Sequence, residues 1–243
     1  MLPFFKKVRE ARRSRCAALV AAAGSSSRMG GINKLLQPLE GVPVLVRTLA
    51  ALQVAGSVDE VIVAAREEDI LEISQLCRTY GLTKCTKVIR GGENRVHSVL
   101  LAALEASPEM ELLAVQDGAR PLVTPELVDR VVFAAARCSA VAPAVAVKDT
   151  MKSVREDGGV EETLDRGRLR AVQTPQVFEA SLLKAALQSA LEQEAPVTDD
   201  ASAVERLGKV VFLVEGEEEN LKITTPMDMI LAEAIVKARE EGR

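Results

Sequence analysis

The chain has 243 residues, 48% hydrophobic and 27% charged, with a net charge of −4, which suits one large α/β domain and argues against a general nucleic-acid binder. Aromatic residues make up 2% and tryptophan is absent, which weakens any base-stacking surface. No stretch reaches the roughly 18 apolar residues that a membrane span needs, so neither nucleic acid nor membrane is an expected partner.

The head, MLPFFKKVREARRSR, is basic and lacks the long apolar core of a secretory signal. Residues 1–16 therefore read as an N-terminal extension and 17–243 as the folded domain. A basic tail is the simplest reading of the head, and an organellar transit segment, such as a plastid one, stays open. The cysteines Cys16, Cys77, Cys85 and Cys138 form no C-x-x-C pair, and His97 is the single histidine. That composition speaks against zinc and disulfide frameworks and fits a reducing cytoplasm.

Ala17–Val20 is a short apolar run of the kind a buried parallel strand shows. It opens into AAAGSSSRMGGINK, where small residues let main-chain N–H groups approach an anion and Arg28 and Lys34 add fixed positive charge. The loop is not a Walker A motif, which needs G-x-x-x-x-G-K-[ST]. Ser26 also stands where a dinucleotide fingerprint needs its second glycine. A-A-G-x-x-x-R-M-G-x(3)-K instead resembles the signature of nucleotidyltransferases that activate a sugar or polyol phosphate.

Further along, the pattern predicts a helix over Val44–Ala55 with Pro43 in its first turn, a strand at 61–65 and a helix over Glu67–Tyr80 stopped by Gly81. A strand at 87–89 runs into Gly91-Gly92-Glu93-Asn94-Arg95, and a helix follows from about Asn94 to Ala106. A strand at 112–115 ends at Asp117-Gly118-Ala119-Arg120-Pro121, and Thr124-Pro125-Glu126 starts another helix. Ala140–Val147 reads as the next strand.

Residues 148–176 break the rhythm and read as an extended β-arm that packs on a second copy of the chain. A helix near Ser181–Gln193, a short helix ending at Leu207, strands at 210–214 and 220–223, and a final helix capped by Thr225-Pro226 complete the chain. The expected fold is one Rossmann-like α/β domain: a mostly parallel sheet covered on both faces, plus the arm. Ligands of such sheets bind beyond the carboxyl ends of the strands.

Arg28, Lys34, Arg95, Asp117, Arg120, Asp149, Lys152, Arg166, Asp199, Asp200 and Lys222 fall where loops converge on that edge. Nucleotidyl transfer needs two polyanions held together and charge on the α-phosphate stabilised. Arg28 and Lys34 are expected to grip the triphosphate, and Lys222 to neutralise the α-phosphate region. Asp117 suits a divalent cation such as Mg²⁺, or a ribose hydroxyl.

AAAGSSSRMG with Lys34, GGENRVHSV, QDGARP, VKDTMK, Asp165-Arg166, LRAVQTPQVF, VTDDASAVE and EENLKITTPMD occur in order over residues 17–235. Together they resemble the 2-C-methyl-D-erythritol 4-phosphate cytidylyltransferase family. The resemblance implies CMP transfer from CTP to methylerythritol phosphate in the non-mevalonate isoprenoid route, with Mg²⁺, in a homodimer of interlocked arms. It implies that Ala22, Ala23, Gly24 and Ser25 line the CTP site. Gly92, Glu93 and Ser98 would contact cytosine, with Arg95 supporting their loop. Arg28, Lys34 and Lys222 match the catalytic cations, and Asp117, Arg120, Thr150, Arg166 and Thr198 would hold the acceptor. Thr150 and Arg166 would reach the pocket of the partner subunit. The chain departs from the family pattern at Ser26, at Asn33 and Leu35 (usually Pro and Gln beside the lysine), and at Asp200. The nearest alternative is a ribitol 5-phosphate cytidylyltransferase; a non-catalytic CTP sensor is more remote, since it would not need all three cations.

Overall fold

The computed structural model describes residues 13–24 and 33–242. The basic head up to residue 12, and Ser25, Ser26 and Arg28 of the phosphate loop, lie outside the described residues. In chain order, β1 (Cys16–Ala22) is followed by a short ladder of β2 (Pro38–Leu39) and β3 (Val42–Pro43), then α1 (Val44–Val54) and β4 (Glu60–Ala65). Next come α2 (Ile70–Thr79), β5 (Cys85–Arg90), α3 (Arg95–Glu105), β6 (Leu112–Asp117), α4 (Pro125–Cys138) and β7 (Ala140–Ala146). The second half adds β8 (Lys152–Val154), β9 (Val160–Thr163), β10 (Arg170–Val172), β11 (Gln176–Glu179), α5 (Ala180–Glu192), α6 (Asp200–Arg206), β12 (Phe212–Glu215) and α7 (Pro226–Glu240).

The central eight-stranded sheet has the order β10-β7-β11-β6-β1-β4-β5, with β12 also on β7. β1 pairs in parallel with both β4 and β6, β4 with β5, and β7 with β12. β10 and β11 run against the rest. The sheet is thus mostly parallel, as expected. The pleat sorts its side chains into two cores: Cys16, Ala18, Val20 and Ala22 of β1 face one, and Ala17 and Leu19 the other. β6 does the same with Leu112 and Ala114 against Leu113 and Val115. The first core is closed by α1, α2, α4 and α7, the second by α3, α5 and α6, so helices cover both faces.

Local signals behave as their chemistry requires. Thr124 accepts a hydrogen bond from Leu127 N and has Pro125 after it, so α4 begins there. Gly81, at φ +64°, ends the α2 segment. Pro43 serves as the N-cap of α1, one residue outside the expected first turn, and a 3₁₀ turn (Glu67–Asp69) precedes α2.

Three expectations need correction. The excursion is shorter than 148–176. Its hairpin is real, with β8 and β9 forming a separate two-stranded sheet around a turn at Gly158, φ +82°. From Arg170, however, the chain re-enters the core sheet. β11, unforeseen, lies antiparallel between β6 and β7, with Val177 and Phe178 fully buried. Its apolar run is only two residues long and abuts a helix, which leaves periodicity nothing to register. Residues 220–223 form no strand; their main chain bonds to side chains and a loop instead. The late strand begins at Phe212 rather than Val210.

Candidate active site

Three strand ends deliver their loops to one edge of the sheet. Ala23 and Gly24 follow β1, Gly91 and Gly92 follow β5, and Gly118 follows β6. Gly118 N donates to Ala21 O at 3.1 Å and Gly91 N to Ala65 O at 2.7 Å, which draws the loops together. This close approach demands glycine. A Cβ on Gly91 would stand 2.5 Å from Ala23 Cβ, and one on Gly92 would stand 2.3 Å from His97 Cγ, next to the backbone, where little can yield.

Between these loops lies a cavity of about 410 Å³. Of the expected site residues, Ala23, Gly24, Lys34, Gly92, Glu93, Arg95, Ser98, Asp117 and Lys222 line it. Ala22 does not: strand alternation turns its side chain into the core, and Ala21 lines the cavity instead. Ser25 and Arg28 lie outside the described residues. Sequence reasoning missed Leu35, Asn94 and Thr224 as lining groups; Thr224 stands two after Lys222 in a motif already singled out.

The α3 N-terminus opens onto the cavity. Asn94 caps it by accepting from His97 N at 2.9 Å, while Ser98 Oγ accepts from Gly92 N at 3.0 Å and donates to Asn94 O at 2.8 Å. The loop before the helix is therefore fixed by its own side chains, leaving a positive helix end beside the cavity. His97 packs over Gly92, a structural role.

Lys222 arrives from the far end of the chain on a loop clamped on both sides. Arg120 Nη1 donates to Asn220 O at 2.5 Å, and Asn220 Nδ2 donates to Thr174 O at 2.9 Å. On the other side Ile223, fully buried, donates its N–H to Ala119 O at 2.8 Å. Asp228 then accepts from Thr224 N and Thr225 N at the start of α7.

Asp117 is the hub of the charges. Its carboxylate lies 2.9 Å from Lys222 Nζ, 3.5 Å from Arg95 and 3.6 Å from Arg120. Burial alone would raise its pKa, but the combined charges of Lys222, Arg95 and Arg120 outweigh that and hold it below the usual carboxylate range. Arg95 also reaches Asp200 at 2.7 Å. Asp200 is fully buried at the first turn of α6, and burial pushes its carboxyl up against the opposing pull of Arg95. α6 is in turn held to β11 through Gln176, which bonds Asp199 at 2.7 Å and Ala201 N at 2.9 Å. The unforeseen strand thus anchors the support of Arg95.

Arg120 supports this cluster from behind the cavity lining. Thr150 and Arg166 are exposed at the arm, where Arg166 donates to Lys148 O at 2.7 Å, and Thr198 is exposed before α6. None of these three lines the cavity. Asp149 and Lys152 also belong to the arm, and Asp199 is the N-cap of α6.

The 2-C-methyl-D-erythritol 4-phosphate cytidylyltransferase family profile matches residues 16–238. A curated relative of that name from Microcystis aeruginosa is 44% identical over 223 residues, covering 91% of this chain and 98% of the relative. One from Bacillus cytotoxicus is 43% identical over 219 residues, covering 90% and 96%. Among solved structures, the 4-diphosphocytidyl-2C-methyl-D-erythritol synthase of Anaerococcus prevotii superposes with a TM-score of 0.83 at 30% identity, covering 92% and 96%. The 2-C-methyl-D-erythritol 4-phosphate cytidylyltransferase of Thermus thermophilus gives 0.73 at 34%, covering 91% and 98%. The chain belongs to the 2-C-methyl-D-erythritol 4-phosphate cytidylyltransferase family.

Proposed function

We propose that the chain transfers CMP from CTP to 2-C-methyl-D-erythritol 4-phosphate, giving 4-diphosphocytidyl-2-C-methyl-D-erythritol and pyrophosphate for isoprenoid precursor synthesis. The observation that carries this reading is the convergence of Lys34, Lys222 and the α3 N-terminus on one cavity beyond the strand ends. A phosphate oxygen of the acceptor attacks the α-phosphorus of CTP. The bond from that phosphorus to the α–β bridging oxygen breaks, and its electron pair leaves with pyrophosphate. A phosphate monoester is already nucleophilic at neutral pH, so no side-chain base is needed. Lys222 neutralises charge gathering on the α-phosphate, and Arg28 and Lys34 hold the triphosphate and its leaving group. Ala22, Ala23, Gly24 and Ser25 bound the nucleotide, with Ala22 contributing main chain only. Gly92, Glu93 and Ser98 face its base, and Arg95 braces their loop.

Among the described residues no three His, Cys, Asp or Glu side chains gather as a metal site. Mg²⁺ commonly takes one or two carboxylates plus substrate phosphates. Asp117 would hold it, and the ion would supply further neutralisation of the triphosphate.

The acceptor is held by Asp117 and Arg120 of one subunit, with Thr198, and by Thr150 and Arg166 of its partner in a homodimer. The exposed hairpin, with Met151, Val154 and Val160 apolar and open to solvent, supports a role for the arm in that contact. No helix among the described residues is long and apolar enough to cross a membrane, and the cytoplasm is the proposed compartment. Pyrophosphate release from CTP, methylerythritol phosphate and Mg²⁺ tests this reading by subunit complementation. Wild type should turn over, while Arg166→Ala and Lys222→Ala alone should be nearly inactive. Their mixture, after subunit exchange, should recover about a quarter of wild-type activity, because half the dimers carry one intact site. No recovery would place Arg166 and Lys222 in the same subunit's site, and an inactive wild type would overturn the assigned reaction.

A further inference from the structure

Lys34 is held between two anchors. On its C-terminal side Leu35 is buried in the core, and Leu35 O accepts from Leu45 N at 2.9 Å. On its N-terminal side the anchor is a side chain. Asn33 Oδ1 accepts from Leu35 N at 3.1 Å, arching over Lys34 in an Asx turn. Asn33 Nδ2 donates to Asp69 Oδ2 at 2.8 Å. Asp69, itself buried, is gripped by Arg66 through Nε at 2.7 Å and Nη2 at 3.1 Å. Arg66 and Asp69 stand at the 3₁₀ turn directly after β4, the strand beside β1. One amide thus closes the turn around Lys34 and ties it to a fixed ion pair on the neighbouring strand end.

We infer that Asn33 is a positioning residue for CMP transfer, holding Lys34 at the triphosphate through the Asn33–Asp69–Arg66 chain. The inference rests on the reaction proposed above. Asn33 touches no substrate; it acts through Lys34. Its two hydrogen bonds use opposite ends of the amide, so donor and acceptor are both required. An acid at this position would keep the bond to Leu35 N but set a second carboxylate against Asp69.

The test is steady-state pyrophosphate release with CTP, methylerythritol phosphate and Mg²⁺, beside the thermal unfolding midpoint. Asn33→Ala and Asn33→Asp are each expected to lower kcat between about 10- and 100-fold, the cost of a misplaced catalytic group, with the midpoint little changed. Asp69→Ala, which removes the far anchor of the amide, should lower kcat in the same range, and combining it with Asn33→Ala should add little further loss, because both break one tether. Wild-type kcat in Asn33→Ala would overturn the inference. So would a loss confined to KM for the acceptor, or a folded double variant whose two losses multiply. An inactive wild type would instead mark failure of the proposed reaction.

Discussion

Replacing Lys222 by alanine is expected to lower kcat for CMP transfer by roughly 100- to 1,000-fold, the usual cost of losing a preorganised group at developing charge. The fold should survive. The loop around Lys222 is held by Asn220, Ile223 and Arg120 rather than by the lysine, whose side chain is 39% exposed. Asp117, the partner it leaves, keeps Arg95 and Arg120. Pyrophosphate release and an unfolding curve together check this. A variant with near-normal kcat would remove Lys222 from the chemistry, and one that fails to fold would make it a structural residue.

The second large effect is expected at Asp117, this time on stability as well. Asparagine at this position keeps the shape and removes the negative charge that Lys222, Arg95 and Arg120 share. Breaking a buried ion cluster from one side typically costs about 3 kcal/mol or more, since the remaining charges stay behind. Lys222 would also lose the contact that aims it, so turnover should fall with stability. The pH dependence has a definite sign. The Asp117 carboxyl is held below its unfolded value, so its stabilisation is complete above that value and is lost as pH falls through the depressed one. Denaturant unfolding should therefore show a gap between wild type and Asp117→Asn at neutral pH that narrows in acid. A gap that is absent at neutral pH, or widens in acid, would mean that the cluster does not stabilise the fold.

Much of this arrangement was legible in the sequence because local chemistry sets it. The apolar run of β1, the Gly91-Gly92 loop running into α3, and Thr124-Pro125 each carry their own signal, and each appears where expected. The crevice followed from a general rule about parallel sheets, so Lys34, Arg95, Asp117 and Lys222 could be gathered before any coordinates. What escaped depends on distant partners. β11 is a strand because β6 and β7 leave a slot for it, not because four residues say so. Residues 220–223 are expected as a strand, but their main chain is spent on Arg120 and Ala119. Asp200 was seen as one more acid, whereas its contact with Arg95 exists only through the packing of α6 on β11. Asn33 departs from the family pattern beside Lys34, and its tether to Asp69 crosses 36 residues of sequence.

The assigned reaction is defined by its acceptor as much as by its nucleotide. The most direct measurement is pyrophosphate release by the full chain with CTP and Mg²⁺, comparing methylerythritol 4-phosphate with ribitol 5-phosphate, and Lys34→Ala as control. Strong turnover is expected with the first acceptor, little with the second, and loss in the variant. Preference for ribitol 5-phosphate would contradict the assigned substrate, and silence with both despite CTP binding would contradict catalysis itself.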